Sequence, residues 1–74
     1  MKYLVIYEWA DANWSAYAPD VPGCVATGAT KDEVRREMRE ALAFHFQGMQ
    51  EDGEPLPESK AWAEDVEIDV PVAR

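Results

Sequence analysis

The chain has 74 residues, enough for one hydrophobic core and too few for two, since a domain of this size buries only about 60% of the surface its unfolded chain exposes. A hydrophobic fraction of 47%, with three Trp, three Tyr and two Phe, excludes a disordered chain, because that much apolar surface offsets much of the entropy of ordering. Seven Lys and Arg against fifteen Asp and Glu give a formal net charge of −8, a field that repels phosphate backbones and favours a basic protein partner, so direct nucleic-acid binding is not expected.

The first element, Lys2 to Trp9, is dense in aromatic and β-branched residues on both parities, which predicts a central strand covered at least in part on both faces. Asp11-Ala12-Asn13 is a short polar break, and Trp14 to Ala18 is a second β-rich run, so the two are expected to pair as an antiparallel hairpin. Pro19 to Gly23, with two prolines and a glycine, rules out helix and predicts a tight turn or bulged corner; Cys24 to Thr27 follows as a short third strand.

Thr30 and Glu33 form the Thr-x-x-Glu pattern of a capping box, in which hydroxyl and carboxylate satisfy orphan amides at a helix start. From there Val34, Met38, Ala41, Leu42, His45, Phe46 and Met49 fall within an arc of roughly 140° at helical spacing, the width of a stripe lying on a sheet. Gly53 is suited to a left-handed cap, and Pro55 and Pro57 forbid continuation, so the helix should end near position 51. Gly48 costs about 1 kcal/mol in helix propensity and suggests close packing or early fraying. Glu54 to Ser59 reads as an extended linker, with Trp62 beyond it expected to anchor that segment to the sheet or to a partner. Glu64 to Val70 then alternates, Val66, Ile68 and Val70 against Asp65, Glu67 and Asp69, as a last strand with one wet acidic face.

Cys24 is the only cysteine, so no disulfide or multi-thiolate zinc site can form within one subunit, consistent with a reducing cytoplasm. It reads as a small buried hydrophobe, with no cationic neighbour in sequence to activate it. The N-terminus holds an apolar run of only about five residues, too short for a signal peptide or a membrane span.

Trp14 to Gly28 (WSAYAPDVPGCVATG), followed by Thr30 and a helix leading to Glu51-Asp52-Gly53-Glu54-Pro55-Leu56-Pro57, closely resembles the HicB-like antitoxin domain. That family combines a tyrosine-rich hairpin, a Pro-x-x-Pro-Gly-Cys corner, a Thr-Gly approach to the helix and an Asp-Gly-Glu-Pro-x-Pro exit. The similarity covers nearly the whole chain, here read as one domain over 1–74. It implies an α+β fold, β-β-β-α-β, in which a three-stranded antiparallel meander carries one helix and a fourth strand lies beside the first, a partial ribonuclease-H-like arrangement. It also implies a partner, a small basic HicA-type toxin that cleaves messenger RNA and that the antitoxin binds and blocks. Family members usually add a C-terminal DNA-binding helix-turn-helix or ribbon-helix-helix; this sequence stops at Arg74 without one, so operator binding is not expected of it alone.

A ribonuclease-H-like site needs several carboxylates converging on divalent metal. Glu8 is the only acid inside the first strand, and no spacing points to a cluster. No catalytic residue, metal ligand or cofactor is assigned, and no enzymatic activity is expected. His45, the single histidine, reads as a core residue with satisfied nitrogens. The candidate partner-binding residues are Phe44, which falls outside the core stripe, its helical neighbours Glu37, Glu40 and Glu51, and Trp62. An aromatic ringed by acids suits a basic protein surface; the competing reading is packing beneath the linker or a homodimer contact. Asp65, Glu67 and Asp69 read as a solvated edge that discourages aggregation. A core this small also favours a homodimer or tetramer, and the alternative to an antitoxin is an oligomeric scaffold domain of the same fold with no toxin.

Overall fold

A computed structural model describes residues 1–71. Three strands, β1 (Ile6–Ala10), β2 (Asn13–Tyr17) and β3 (Val25–Gly28), precede one helix, α1 (Lys31–Glu51). The strands form an antiparallel meander in the order β1-β2-β3. Two residues join β1 to β2, and the first of them, Asp11, takes a positive φ of 57°, a conformation that a short polar side chain tolerates better than most.

The register explains where the helix lies. Cross-strand partners share a face, so Tyr7, Ala16 and Ala26 form one row toward the helix, and Trp9, Trp14 and Gly28 the next. Those rows are large on β1 and small on β3, with Ala16 small and Trp14 large on β2, and α1 settles mainly over β3 and next over β2, where Gly28, Ala26 and Ala16 allow close approach. At Gly28 the approach is so close that a Cβ would stand 2.6 Å from the backbone nitrogen of Val34. Val34 and Met38 are thereby sealed into the core with Ala16, Ala18, Val21 and Cys24. Tyr7 and Trp9, on the strand farthest from the helix, stay exposed.

The proline-rich corner is two successive tight turns. The Val21 N–H donates to the Ala18 carbonyl at 3.0 Å, and the Cys24 N–H to the Val21 carbonyl at 3.2 Å. In the second turn Pro22 supplies its fixed φ and Gly23 a φ of 84°, the requirements of a type II turn. The corner tucks Val21 and Cys24 inward as plugs at one end of the core.

At the helix start, Thr30 Oγ1 accepts from the Glu33 N–H at 3.1 Å, the hydroxyl half of the capping box. The helix runs through Gly48 to Glu51 and ends in a Schellman motif: the Glu54 N–H donates to Met49 and the Gly53 N–H to Gln50, with Gly53 at φ 70°. Gly48 neither frays nor permits a close contact, since a Cβ there would meet nothing within 4 Å.

The end of the chain departs from expectation. Among the described residues there is no fourth strand: Glu64–Val70 is extended, exposed throughout, and paired with no strand. With nothing beside it, β1 is an edge strand rather than a central one. It also begins at Ile6 rather than Lys2, because Ile6 is paired with Tyr17 and β2 then turns away at Ala18-Pro19, leaving residues 2–5 without a neighbour. Trp62, expected to anchor the segment, is 75% exposed. The segment is instead anchored just upstream. Asp20 Oδ2 accepts from the Lys60 and Ala61 N–H groups, each at 2.7 Å, and the Tyr3 hydroxyl donates to the Pro57 carbonyl at 2.6 Å.

Candidate functional site: an acidic helix face around an exposed phenylalanine

At 100° per residue, Glu37, Glu40, Phe44, Gln47 and Glu51 fall within an arc of about 80°, on a flank of α1 whose centre is about 120° from that of Val34 and Met38. Phe44 is 79% exposed, and the three glutamates are exposed around it. Gln47 Nε2 donates to Glu51 Oε1 at 3.3 Å, ordering the C-terminal part of this face. Phe44 therefore does not pack beneath the linker. Four of the five candidate residues, Phe44, Glu37, Glu40 and Glu51, stand together on one rigid element. Trp62 lies after the Asp20 clamp, and no aromatic pair or hydrogen bond among the described residues joins it to them.

The remaining candidates resolve by burial. Cys24 is buried, and desolvation raises its thiol pKa above 9.0, the opposite of an activated nucleophile. His45 is half-buried, edge-on to Phe46 with ring centroids 6.2 Å apart. It makes no hydrogen bond within the described residues, and no buried side-chain nitrogen is unsatisfied, so its imidazole nitrogens meet solvent rather than the satisfied core environment expected of them. Among the described residues no three of His, Cys, Asp and Glu converge as metal ligands.

Two features were not visible in the sequence. Lys31 Nζ stands 5.3 Å from the ring centroid of Trp14, a cation–π contact over a hollow of about 240 Å³ lined also by Tyr7, Val34 and Arg35. Beside β1, a second groove of about 470 Å³ combines Tyr3, Val5, Tyr7, Met38 and Leu42 with the cations Lys2, Arg35 and Arg39. Thus three of the seven cations in an acidic chain gather at the free edge of the sheet. The pairing of strand and helix residues from opposite ends of the fold is what hid both.

Residues 3–69 match the model of the HicB-like antitoxin of bacterial toxin–antitoxin systems. The chain belongs to this family. A relative in Haemophilus phage HP1, an uncharacterized 14.9 kDa protein of the rep-hol intergenic region, is 41% identical over 59 residues, covering 80% of this chain and 44% of its own. The chain thus spans under half the length of that protein. The UPF0150 protein Ta0767 of Thermoplasma acidophilum is 31% identical over 62 residues, covering 82% of this chain and 90% of its own. Among solved structures, a chain of the HicA3 and HicB3 toxin-antitoxin complex superposes with a TM-score of 0.65 at 29% identity, covering 74% of this chain and 64% of that one. The HicB-like assignment and the three strands with one helix agree with the α+β fold implied by the corner and the helix exit. No helix among the described residues is long and apolar enough to cross a membrane.

Proposed function

We propose that this HicB-like chain is a cytoplasmic antitoxin that binds and blocks a small basic HicA-type toxin, using Phe44 as an anchor within the carboxylates of Glu37, Glu40 and Glu51, with Trp62 as a second apolar contact. The observation that carries this reading is the 79% exposed phenylalanine on an acidic helix face. Leaving a large aromatic in water has no benefit to the monomer, whereas a buried aromatic inside a polar rim is the usual composition of an energetic centre in an interface. The formal charge of −8 would speed encounter with a basic partner. A toxin-antitoxin complex among the structural relatives supports a partner of that class. The protein acts by occlusion, and no catalytic role is assigned to it.

The test is calorimetric titration of the full chain into a purified, catalytically inactivated HicA-type toxin from the same cells. Phe44→Ala should weaken binding by about thirtyfold, corresponding to the ~2 kcal/mol of an interface hot spot. Replacing the three glutamates with glutamine should reduce the salt dependence of association. Full affinity of Phe44→Ala would remove this face from the interface; absence of binding at any salt concentration would remove the antitoxin reading.

A further inference from the structure

The segment after the Asp20 clamp has the composition of a strand and none of a strand's partners. Its apolar residues alternate, and Val66, Ile68 and Val70 are 69%, 71% and 75% exposed. With the Cα radius of gyration at 15.8 Å and the longest axis at 59 Å, the chain is well beyond the roughly 11 Å radius of a closed domain of this length. The excess is this arm. It is held at its base by two hydrogen bonds to Asp20 and from there runs clear of its own sheet, every residue from Trp62 to Val70 exposed.

The same molecule carries a receptor of matching chemistry. β1 presents an outer edge that no strand among the described residues occupies, and edge strands of this kind template the addition of another strand. The groove beside it, lined by Tyr3, Val5, Tyr7, Met38 and Leu42 with the cations Lys2, Arg39 and Arg35, the last already paired with Asp32 at 3.0 Å, offers an apolar surface to one face of an added strand. The arm brings three β-branched residues and four acids, Glu64, Asp65, Glu67 and Asp69, with no cation between them. Glu64 shares the face of the apolar row and would meet those cations within the roughly 10 Å screening length at moderate salt, while Asp65, Glu67 and Asp69 stay on the solvated face. The other free edge fits less well: β3 has four residues, and α1 closes against its end at Gly28.

We propose that two copies of this chain exchange arms, residues 64–70 of each adding as a strand to the β1 edge of the other. The exchange is reciprocal and closes on itself, as a twofold dimer requires. It covers the three exposed β-branched side chains and pairs the outer edge of β1. This proposal goes beyond the antitoxin reading and stands without it, because both occupants are the same chain.

The test uses the full chain alone. Sedimentation equilibrium of the wild type should give a dimer. Ile68→Asp should weaken dimerisation at least tenfold while leaving the circular dichroism of the monomer unchanged, since Ile68 touches no core residue in one copy. In a sample mixed from isotopically labelled and unlabelled chains, filtered nuclear Overhauser effects should connect Val66 and Ile68 methyls of one copy to Tyr3, Val5 or Tyr7 of the other. A monomeric wild type, a dimer indifferent to Ile68→Asp, or effects found only within one chain would each overturn the exchange. Failure of toxin binding would leave all three readouts unchanged, so the two readings fail separately.

Discussion

Gly28 provides the most stringent check on the way the helix is seated. A Cβ built there lies 2.6 Å from Val34 N, 2.9 Å from Val34 Cα and 3.1 Å from the Glu33 carbonyl carbon, where ordinary contact needs at least 3.4 Å. All three are backbone atoms of the first turn of α1, so no side chain can rotate away. Gly28→Ala must lift the helix start by most of an ångström, and with it Val34, which is 1% exposed. Forced overpacking of this kind costs about 1–3 kcal/mol. For a domain of this size each kcal/mol lowers the melting temperature by roughly 4–8 °C. Urea unfolding followed by Trp fluorescence, at fixed protein concentration, should therefore show a lower midpoint with little change in slope. The same substitution at Gly48 should act in the opposite direction: a Cβ there meets nothing within 4 Å, and helix propensity favours alanine by about 1 kcal/mol. A Gly28→Ala variant as stable as the wild type would refute the close seating of α1 on β3.

Other outcomes follow from the core and the corner. Met38→Ala, at the fully buried centre of the helix stripe, should cost about 2–5 kcal/mol in the same urea assay, the range for emptying a buried aliphatic site. Phe44→Ala should change stability by no more than about 0.5 kcal/mol, as an exposed substitution, separating its role in binding from any role in folding. Because burial raises the Cys24 thiol pKa above 9.0, the folded state favours the protonated form. That contribution is complete below pH 9.0 and is lost as pH rises through the folded value, so the urea midpoint should fall above pH 9 in the wild type and fall less in Cys24→Ala.

The helix was legible in the sequence because its signals are local. Thr30 and Gly53 lie next to the amides and carbonyls they serve, although the Glu33 carboxylate makes no reciprocal bond to Thr30, and the period of Val34, Met38 and Leu42 needs no knowledge of the sheet. The hairpin and the corner were legible for the same reason, as Pro22-Gly23 dictates a turn within four residues. Position within the sheet was not. Whether β1 is central or at an edge depends on where Glu64–Val70 goes, and strict alternation marks a strand without naming its neighbour. The acidic face around Phe44 could be placed by helical arithmetic alone. Trp62 could not, because its exposure follows from the hydrogen bonds of Lys60 and Ala61 to Asp20, forty residues earlier in the chain. The basic groove was hidden similarly: Lys2 and Arg39 share no local pattern.

Asp20 is the third residue of the first of the two turns that drive Val21 and Cys24 into the core, and it also holds Lys60 and Ala61. Disturbing that corner therefore loosens two distant parts of the chain in a single event. Plugs and tether behave as one cooperative unit: the amides of Cys24, Lys60 and Ala61 should exchange with solvent through a common opening. The orientation in which residues 62–70 leave the body is thus as durable as the corner itself, although every one of those residues is exposed.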